Sequence, residues 1–211
     1  MLKFLIADDH AIVRKGLIEL IREEFLTAEI CEVTNGIDAI DKIHEKIWDL
    51  ILLDISMPGK NGIETLKQLR SEGNKTPILV LSMQPEEQYA VRVLKAGGSG
   101  FVNKNSATEE LITAIKKVLS GRKYISSSIA EMIADNMDNN SGIKPAYENL
   151  SDREMQVLQL IASGKTVSEI AEIIFLSVNT ISTYRARILE KLSLQNNAEL
   201  TRYALDNKIV S

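Results

Sequence analysis

The 211-residue chain has a single cysteine, Cys31, so it can form no internal disulfide and no cysteine-based metal site. That residue lies in the strand-like stretch "AEICEV" and is expected to be a buried bystander thiol. Long apolar runs are also missing. Those at residues 50–53 and 78–81 end far short of the ~20 residues that a spanning helix needs. The opening "MLKFLIADDH" turns acidic before a signal-peptide core develops, so neither export nor a membrane partner is expected. No excess of basic residues is present: 25 Lys and Arg face 29 Asp and Glu, for a net charge of −4. Any contact with nucleic acid must therefore come from local charge and not from the field of the whole molecule. Gly97-Gly98 could form a phosphate loop, but no G-x-G-x-x-G follows the first strand, which argues against a bound nucleotide. Internal repeats and low-complexity tracts are absent. What is abundant is hydrophobic residues, 45% of the chain, enough for the cores of one large or two small domains.

Two textures divide the chain. Over residues 3–119, short apolar runs at 4–7, 29–33, 50–53, 78–81 and 100–102 alternate with amphipathic stretches at 12–24, 36–46, 62–71, 86–96 and 108–119. Near-continuous apolarity in the short runs predicts parallel strands covered on both faces. Five βα units define an α/β, doubly wound five-stranded parallel-sheet (βα)5 domain, residues 1–121. Residues 122–149 read as a linker with a helix from about Ser127, followed by the polar, Gly- and Pro-containing segment 138–149. Residues 150–211 read as a small all-α domain. Ser151 with Glu154 and Thr166 with Glu169 are capping boxes, Ser177 is a further N-cap, and Asn196 with Glu199 is the last. Four short helices so punctuated predict a unit containing a helix-turn-helix.

In open α/β sheets, ligands bind beyond the carboxyl ends of the strands. There the first strand ends in Asp8-Asp9, the third in Asp54 and the fourth in Ser82, and Lys104 follows the fifth. Three carboxylates converging on one edge repel unless a cation compensates them. A hard divalent ion such as Mg²⁺, which takes oxygen ligands, answers that need. The Lys104 ammonium and Ser82 hydroxyl are then suited to hold the oxygens of a phosphoryl group, and Asp54, on the central strand, is placed to attack it. His10 reads as a turn or capping residue, and His44 as a solvated helix residue.

At "ADDH", "LLDISMPGKNG", "VLS" and "GFVNK" the chain resembles the receiver domain of two-component response regulators. The resemblance implies phosphorylation of Asp54 by a histidine kinase. It also implies Mg²⁺ binding by Asp9 and Asp54 with help from Asp8 and from the Ser56 backbone carbonyl. Ser82 and Phe101 become the switch residues, with Phe101 standing where Tyr is frequent. Asn105 departs from the proline that often follows the lysine, which leaves the geometry after Lys104 open. Gln84 and Ser56, each two residues past a pocket residue, are placed to tune the lifetime of the phosphoryl group.

In the helical domain, Ile181, Tyr184, Ile188 and Leu192 recur at spacings of three and four, a stripe that faces a core. The remaining faces present Asn179, Thr180, Ser182, Thr183, Ala186, Arg185 and Arg187, with Lys191 near the end. Small polar side chains interleaved with arginines suit a major groove, and Asn179, Thr180, Ser182, Thr183, Arg185, Arg187 and Lys191 are the candidate contacts to duplex DNA. The stretch "LSDREMQVLQLIASGKTVSEIAEIIFLSVNTISTYRARILEKL" resembles the LuxR-type output domain, and the whole chain resembles a NarL/FixJ-family response regulator. That resemblance implies promoter sites with inverted repeats, a homodimer on phosphorylation and a dimer face on the last helix through Ala198, Thr201, Ala204 and Leu205, intradomain packing being the alternative. Residues 148–211 nevertheless hold seven Lys and Arg against eight Asp and Glu. Two other classes stay open on sequence alone: a Mg²⁺-dependent phosphatase, which lacks a second acid two residues after Asp54, and a signalling module whose helical domain binds protein.

Overall fold

The structure is a computed structural model that describes residues 1–106, 108–138, 146–207 and 209–210. The chain forms two compact units, Met1–Asp138 and Asn139–Ser211. In the first, strands β1 (Lys3–Ala7), β2 (Glu29–Val33), β3 (Leu50–Asp54), β4 (Ile78–Ser82) and β5 (Gly100–Asn103) alternate with helices α1 (Ala11–Glu24), α2 (Gly36–Glu45), α3 (Gly62–Ser71), α4 (Glu86–Lys95) and α5 (Thr108–Leu119). All strand pairs are parallel, in the order β2-β1-β3-β4-β5. This is the doubly wound sheet that the apolar runs predict. Every residue of β3 and β4 is buried, because helices cover both faces. On one face Phe4, Ile6, Leu50, Leu52, Leu79, Leu81 and Val102 pack with Leu17 and Ile21 of α1 and with Leu111, Ala114, Ile115 and Val118 of α5. The alternate strand residues point the other way. Cys31 is partly exposed, in contrast to the buried thiol expected, because β2 is an edge strand.

Residues 122–138, assigned on sequence to a linker, pack within the first unit. Tyr124 runs beside Gly100 at the open edge of β5, donating its N–H to the Ser99 carbonyl at 2.8 Å. Helix α6 (Ser127–Asp138) follows, with Ile129 buried and the Ser128 hydroxyl donating to Glu86 of α4 at 3.3 Å. Of the polar segment expected at 138–149, residues 139–145 lie outside the described residues.

Local chemistry places the helix starts around the sheet's carboxyl edge. Asn35 caps α2 by accepting from the N–H groups of Ile37 and Asp38, and Asn61 forms a capping box with Glu64 at α3. Gly62 opens α3 against the end of β3. A Cβ there would lie 2.0 Å from the Asp54 carbonyl oxygen and 3.0 Å from the Ile55 Cα, both backbone atoms with no room to yield. Gly62→Ala is therefore expected to lower stability by about 3 kcal/mol through overpacking. Urea unfolding checks this, and a loss below about 1 kcal/mol would contradict the contact.

The second unit is helical among its described residues: a short 3-10 turn (Ala146–Asn149), then α7 (Asp152–Ala162), α8 (Val167–Ile173), α9 (Val178–Leu192) and α10 (Asn197–Asp206). Ser151 and Thr166 form the expected capping boxes, and Ser177 and Asn196 cap α9 and α10. Met155, Leu158, Ile170, Ile181, Ile188, Leu200 and Ala204 make its core. The burial of Ala204 corrects one expectation: α10 turns that residue inward, on the side that packs against α7, leaving Ala198 and Leu205 exposed and Thr201 partly so.

Candidate functional site

The strand order reverses between β1 and β3, and the carboxyl edge there carries the acidic cluster. Asp54 ends β3 at 2% exposure, and Asp8 follows β1 at 1%. Lys104, just past β5, reaches across to both, its Nζ 2.7 Å from Asp8 Oδ2 and 2.9 Å from Asp54 Oδ2. Two buried carboxylates are thus bridged by one buried ammonium. Burial pushes the Asp54 carboxyl above its ordinary range; Lys104 opposes that shift, Asp8 reinforces it, and the Ser56 N–H opposes it. Asp9 stands exposed at the rim, where its Oδ1 lies 2.8 Å from His10 Nδ1. His10 precedes α1 but makes no side-chain cap; its ring sits on Asp9 and, at 3.3 Å, on Asp8.

Donor atoms of Asp8, Asp9, His10 and Asp54 all lie within 4.8 Å of one another. Beyond the Lys104 contact, neither Asp8 Oδ2 nor Asp54 Oδ2 accepts a well-directed hydrogen bond among the described residues. Buried carboxylate oxygens with unused acceptor capacity in a mostly oxygen-donor cluster fit a hard divalent cation such as Mg²⁺.

The β3–β4 register pairs Asp54 with Leu81, so Ser82 lies one residue beyond that level and is fully buried. Its Oγ accepts from the Gln84 N–H at 3.1 Å. Phe101 of β5 is buried, on the sheet face away from α1 and α5. The Lys104–Asn105 bond is not cis. The pocket reading from sequence thus meets its residues in one place: Asp8, Asp9, Asp54 and Lys104 converge, with Ser82 on the adjoining strand. It overlooked Arg14, whose guanidinium donates to the Asp8 carbonyl at 2.9 Å, and Asn103, the polar residue that closes β5. Asn103 is signalled in the sequence only by polarity beside Lys104, and Arg14 by nothing that sets it apart from other helical residues. His44, read as merely solvated, pairs with Glu72 at 2.9 Å.

In the second unit α8 and α9 pack as a helix-turn-helix. Ile181, Ile188 and Leu192 are buried and Tyr184 partly so, while Asn179, Ser182, Thr183, Ala186 and Arg187 are exposed. Not every candidate is free for a partner. Thr180 is partly buried, with its hydroxyl 2.8 Å from the Ser177 capping hydroxyl. Arg185 donates to Asn197 Oδ1 at 2.5 Å. Lys191, though exposed, sets its Nζ 2.6 Å from the buried Glu154. Arg187 is exposed and makes no ion pair among the described residues.

Glu154 has a testable pH signature. Burial alone would raise its carboxyl, but Lys191 and the Ser151 donors together outweigh burial and hold it below the ordinary value. A group with a depressed folded pKa stabilises above its unfolded value, and that stability disappears as pH falls through the folded one. The resistance of this domain to chemical unfolding is expected to fall below about pH 4.5, through a contribution that Glu154→Gln removes. An unchanged pH profile in that variant would refute the pairing.

A parallel (βα)5 sheet with acids at its switch point, followed by a helix-turn-helix, defines the class of two-domain response regulators. The chain belongs to their NarL/FixJ family: residues 4–116 match the response regulator receiver domain, and residues 148–204 match the luxR family of bacterial regulatory proteins. It is similar to the oxygen regulatory protein NreC of Staphylococcus aureus, 33% identical over 99% of both chains. Among solved structures it resembles RcsB of Salmonella enterica serovar Typhimurium bound to promoter rprA in the presence of phosphomimetic BeF3⁻, with TM-score 0.64 and 27% identity over 96% of this chain and 98% of that one. A LuxR-family response regulator from an Aurantimonas species matches at TM-score 0.59 and 32% identity, covering 64% of this chain and 96% of that one. The protein is a response regulator that joins a receiver domain to a LuxR-type DNA-binding domain, and its domains are those of a regulator and not of a dedicated enzyme.

Proposed function

We propose that this is a cytoplasmic protein whose phosphoacceptor is Asp54, and that modification of Asp54 by a histidine kinase controls dimerisation and promoter binding. The observation that carries this reading is the buried Asp8–Lys104–Asp54 bridge, which gathers a nucleophile and a cation at the switch point. In the reaction an Asp54 carboxylate oxygen bonds to phosphorus while the bond from phosphorus to the donor imidazole breaks. Lys104 shifts from carboxylate to phosphoryl oxygens, and the Ser82 hydroxyl, which only accepts from the Gln84 N–H, turns its own proton toward the same group. Asp8, Asp9, Asp54 and the Ser56 carbonyl would hold Mg²⁺, which neutralises charge on the phosphoryl oxygens. Ser56 and Gln84 are assigned to tuning the rate of phosphoryl loss.

Phosphorylation carries the signal to the helix-turn-helix, whose exposed Asn179, Ser182 and Thr183 read base edges while Arg187 holds phosphate. Typical couplings of ~1–3 kcal/mol give partial switching, short of the ~5.5 kcal/mol that a full reversal needs. Dimerisation on inverted repeats supplies the remainder. Selection from random duplexes with and without Mg²⁺ plus beryllofluoride tests the proposal. An inverted repeat enriched only with the mimic supports it; equal enrichment in both pools would demote Asp54 to a tuning role.

Because Arg185 and Lys191 already have partners within their own domain, few cations remain for phosphates. The salt slope of binding is expected to be shallow, about −0.9 for each phosphate contact. Arg187→Ala is expected to weaken binding to all sequences alike and to flatten the slope by about one per protomer. Affinity titrations over a salt series check this; a loss confined to one base position would instead make Arg187 a base reader.

A further inference from the structure

Asn103 closes β5 one residue before Lys104, and the reaction described above gives it no role. Both ends of its side-chain amide are engaged. Nδ2 donates to the Gln84 carbonyl at 3.2 Å, and Oδ1 accepts from the Asn105 N–H at 2.9 Å. Gln84 in turn donates its N–H to Ser82 Oγ, and the Lys104 N–H donates to the Ser82 carbonyl at 2.9 Å. The β4–β5 ladder ends at the pair Ser82–Asn103, so beyond it the two loops depend on other links. One side chain therefore ties the segment bearing the switch hydroxyl to the segment bearing the ammonium. The link also depends on the residue after Lys104. Asn105 has an N–H that needs an acceptor, whereas a proline there would offer none.

We propose that Asn103 is a positioning residue of the phosphorylation pocket, fixing the spacing between the Ser82 hydroxyl and the Lys104 ammonium into which the phosphoryl oxygens fit. This rests on the reading of Asp54 as phosphoacceptor. The side-chain hydrogen bonds of Asn103 go to the backbone of Gln84 and Asn105, so it acts through the two loops.

The test uses the full chain, beryllofluoride as probe, calorimetric titration and ¹⁹F NMR of the bound mimic. Asn103→Ala removes both hydrogen bonds. Asn103→Ser keeps a short acceptor for the Asn105 N–H but does not reach Gln84. Asn103→Ala is expected to lower mimic affinity about tenfold and to shift the bound fluorine resonances, with Asn103→Ser intermediate. Affinity for Mg²⁺ alone, which depends on Asp8, Asp9 and Asp54, is expected to stay near that of the unsubstituted protein. Mimic affinity within about twofold of the unsubstituted protein in either variant, or an equal fall in Mg²⁺ and mimic affinity, would overturn the positioning role. If Asn103→Ala fails to fold, the serine variant alone decides between these outcomes. If the unsubstituted protein binds no mimic, the phosphoacceptor reading itself fails, a result distinct from an unaffected variant, and this inference falls with it.

Discussion

Replacing Asp54 with Asn is expected to abolish phosphoryl incorporation from an acyl-phosphate donor or a histidine kinase, while the receiver domain stays folded. The amide has no carboxylate oxygen to bond to phosphorus, and no other buried carboxylate sits at the end of the central strand. The same substitution should raise the melting temperature of the unmodified protein at neutral pH. The physical reason is the direction of the Asp54 shift. Burial makes the ionised form costly; Lys104 offsets part of that cost and Asp8 adds to it, so the folded state holds the proton more tightly than the unfolded chain. A carboxyl with a raised folded pKa is neutral and costless at low pH, and it subtracts stability once pH passes its unfolded value. The advantage of Asn should therefore be present at pH 7 and vanish as pH falls below the ordinary carboxylate range. Labelled phosphate in the Asn variant would move the acceptor elsewhere. A lower melting temperature at pH 7 would refute the electrostatic account.

Lys104→Met is expected to have the second largest effect. Its ammonium is the cation that bridges the buried Asp8 and Asp54, and methionine keeps the bulk of the side chain without the charge. Removing one partner of a buried ionic cluster typically costs about 3–5 kcal/mol, because the remaining charges stay buried and uncompensated. Here the loss should be largest in chelator and largely recovered in Mg²⁺, since a divalent ion at the same carboxylates replaces the missing charge. Phosphorylation should not recover in parallel. Without the ammonium to stabilise charge on the phosphoryl oxygens, the rate is expected to fall about 10²–10³-fold even at saturating Mg²⁺. Urea unfolding with and without Mg²⁺, beside a phosphorylation time course, separates the two effects. Equal stability in chelator would show that the bridge contributes little. An unchanged rate would remove Lys104 from the chemistry.

The two halves of the molecule differ in how much their sequences disclose. In the receiver the strands are short apolar runs and their termini are acids, so a period and a position identify both the sheet and its edge. Asp8, Asp9, Asp54 and Lys104 are legible because a doubly wound sheet brings every strand's carboxyl end to one side. Asn103 and Arg14 were not legible. Each acts through a backbone partner, the carbonyls of Gln84 and Asp8, and backbone partners leave no mark in a residue pattern. Helix α9 shows the same limit from the other side. Its apolar stripe was readable, but the commitment of Lys191 to Glu154 was not, because those residues lie 37 positions apart and meet only when α7 packs on α9.

The sequence by itself determined the element order, the helix caps, the class of sheet and the acids at its edge, because these follow from local periodicity and from residue types at strand and helix ends. Only the tertiary structure decided which charges are spent within the fold. Lys104 bridges two carboxylates, Lys191 and Arg185 find partners within their own domain while Arg187 makes no ion pair among the described residues, Ala204 turns into the core, and residues 122–138 pack within the first unit. Those outcomes depend on contacts between residues far apart in the chain, whose free energy comes from burial and charge pairing after the elements have packed, and no local pattern encodes them.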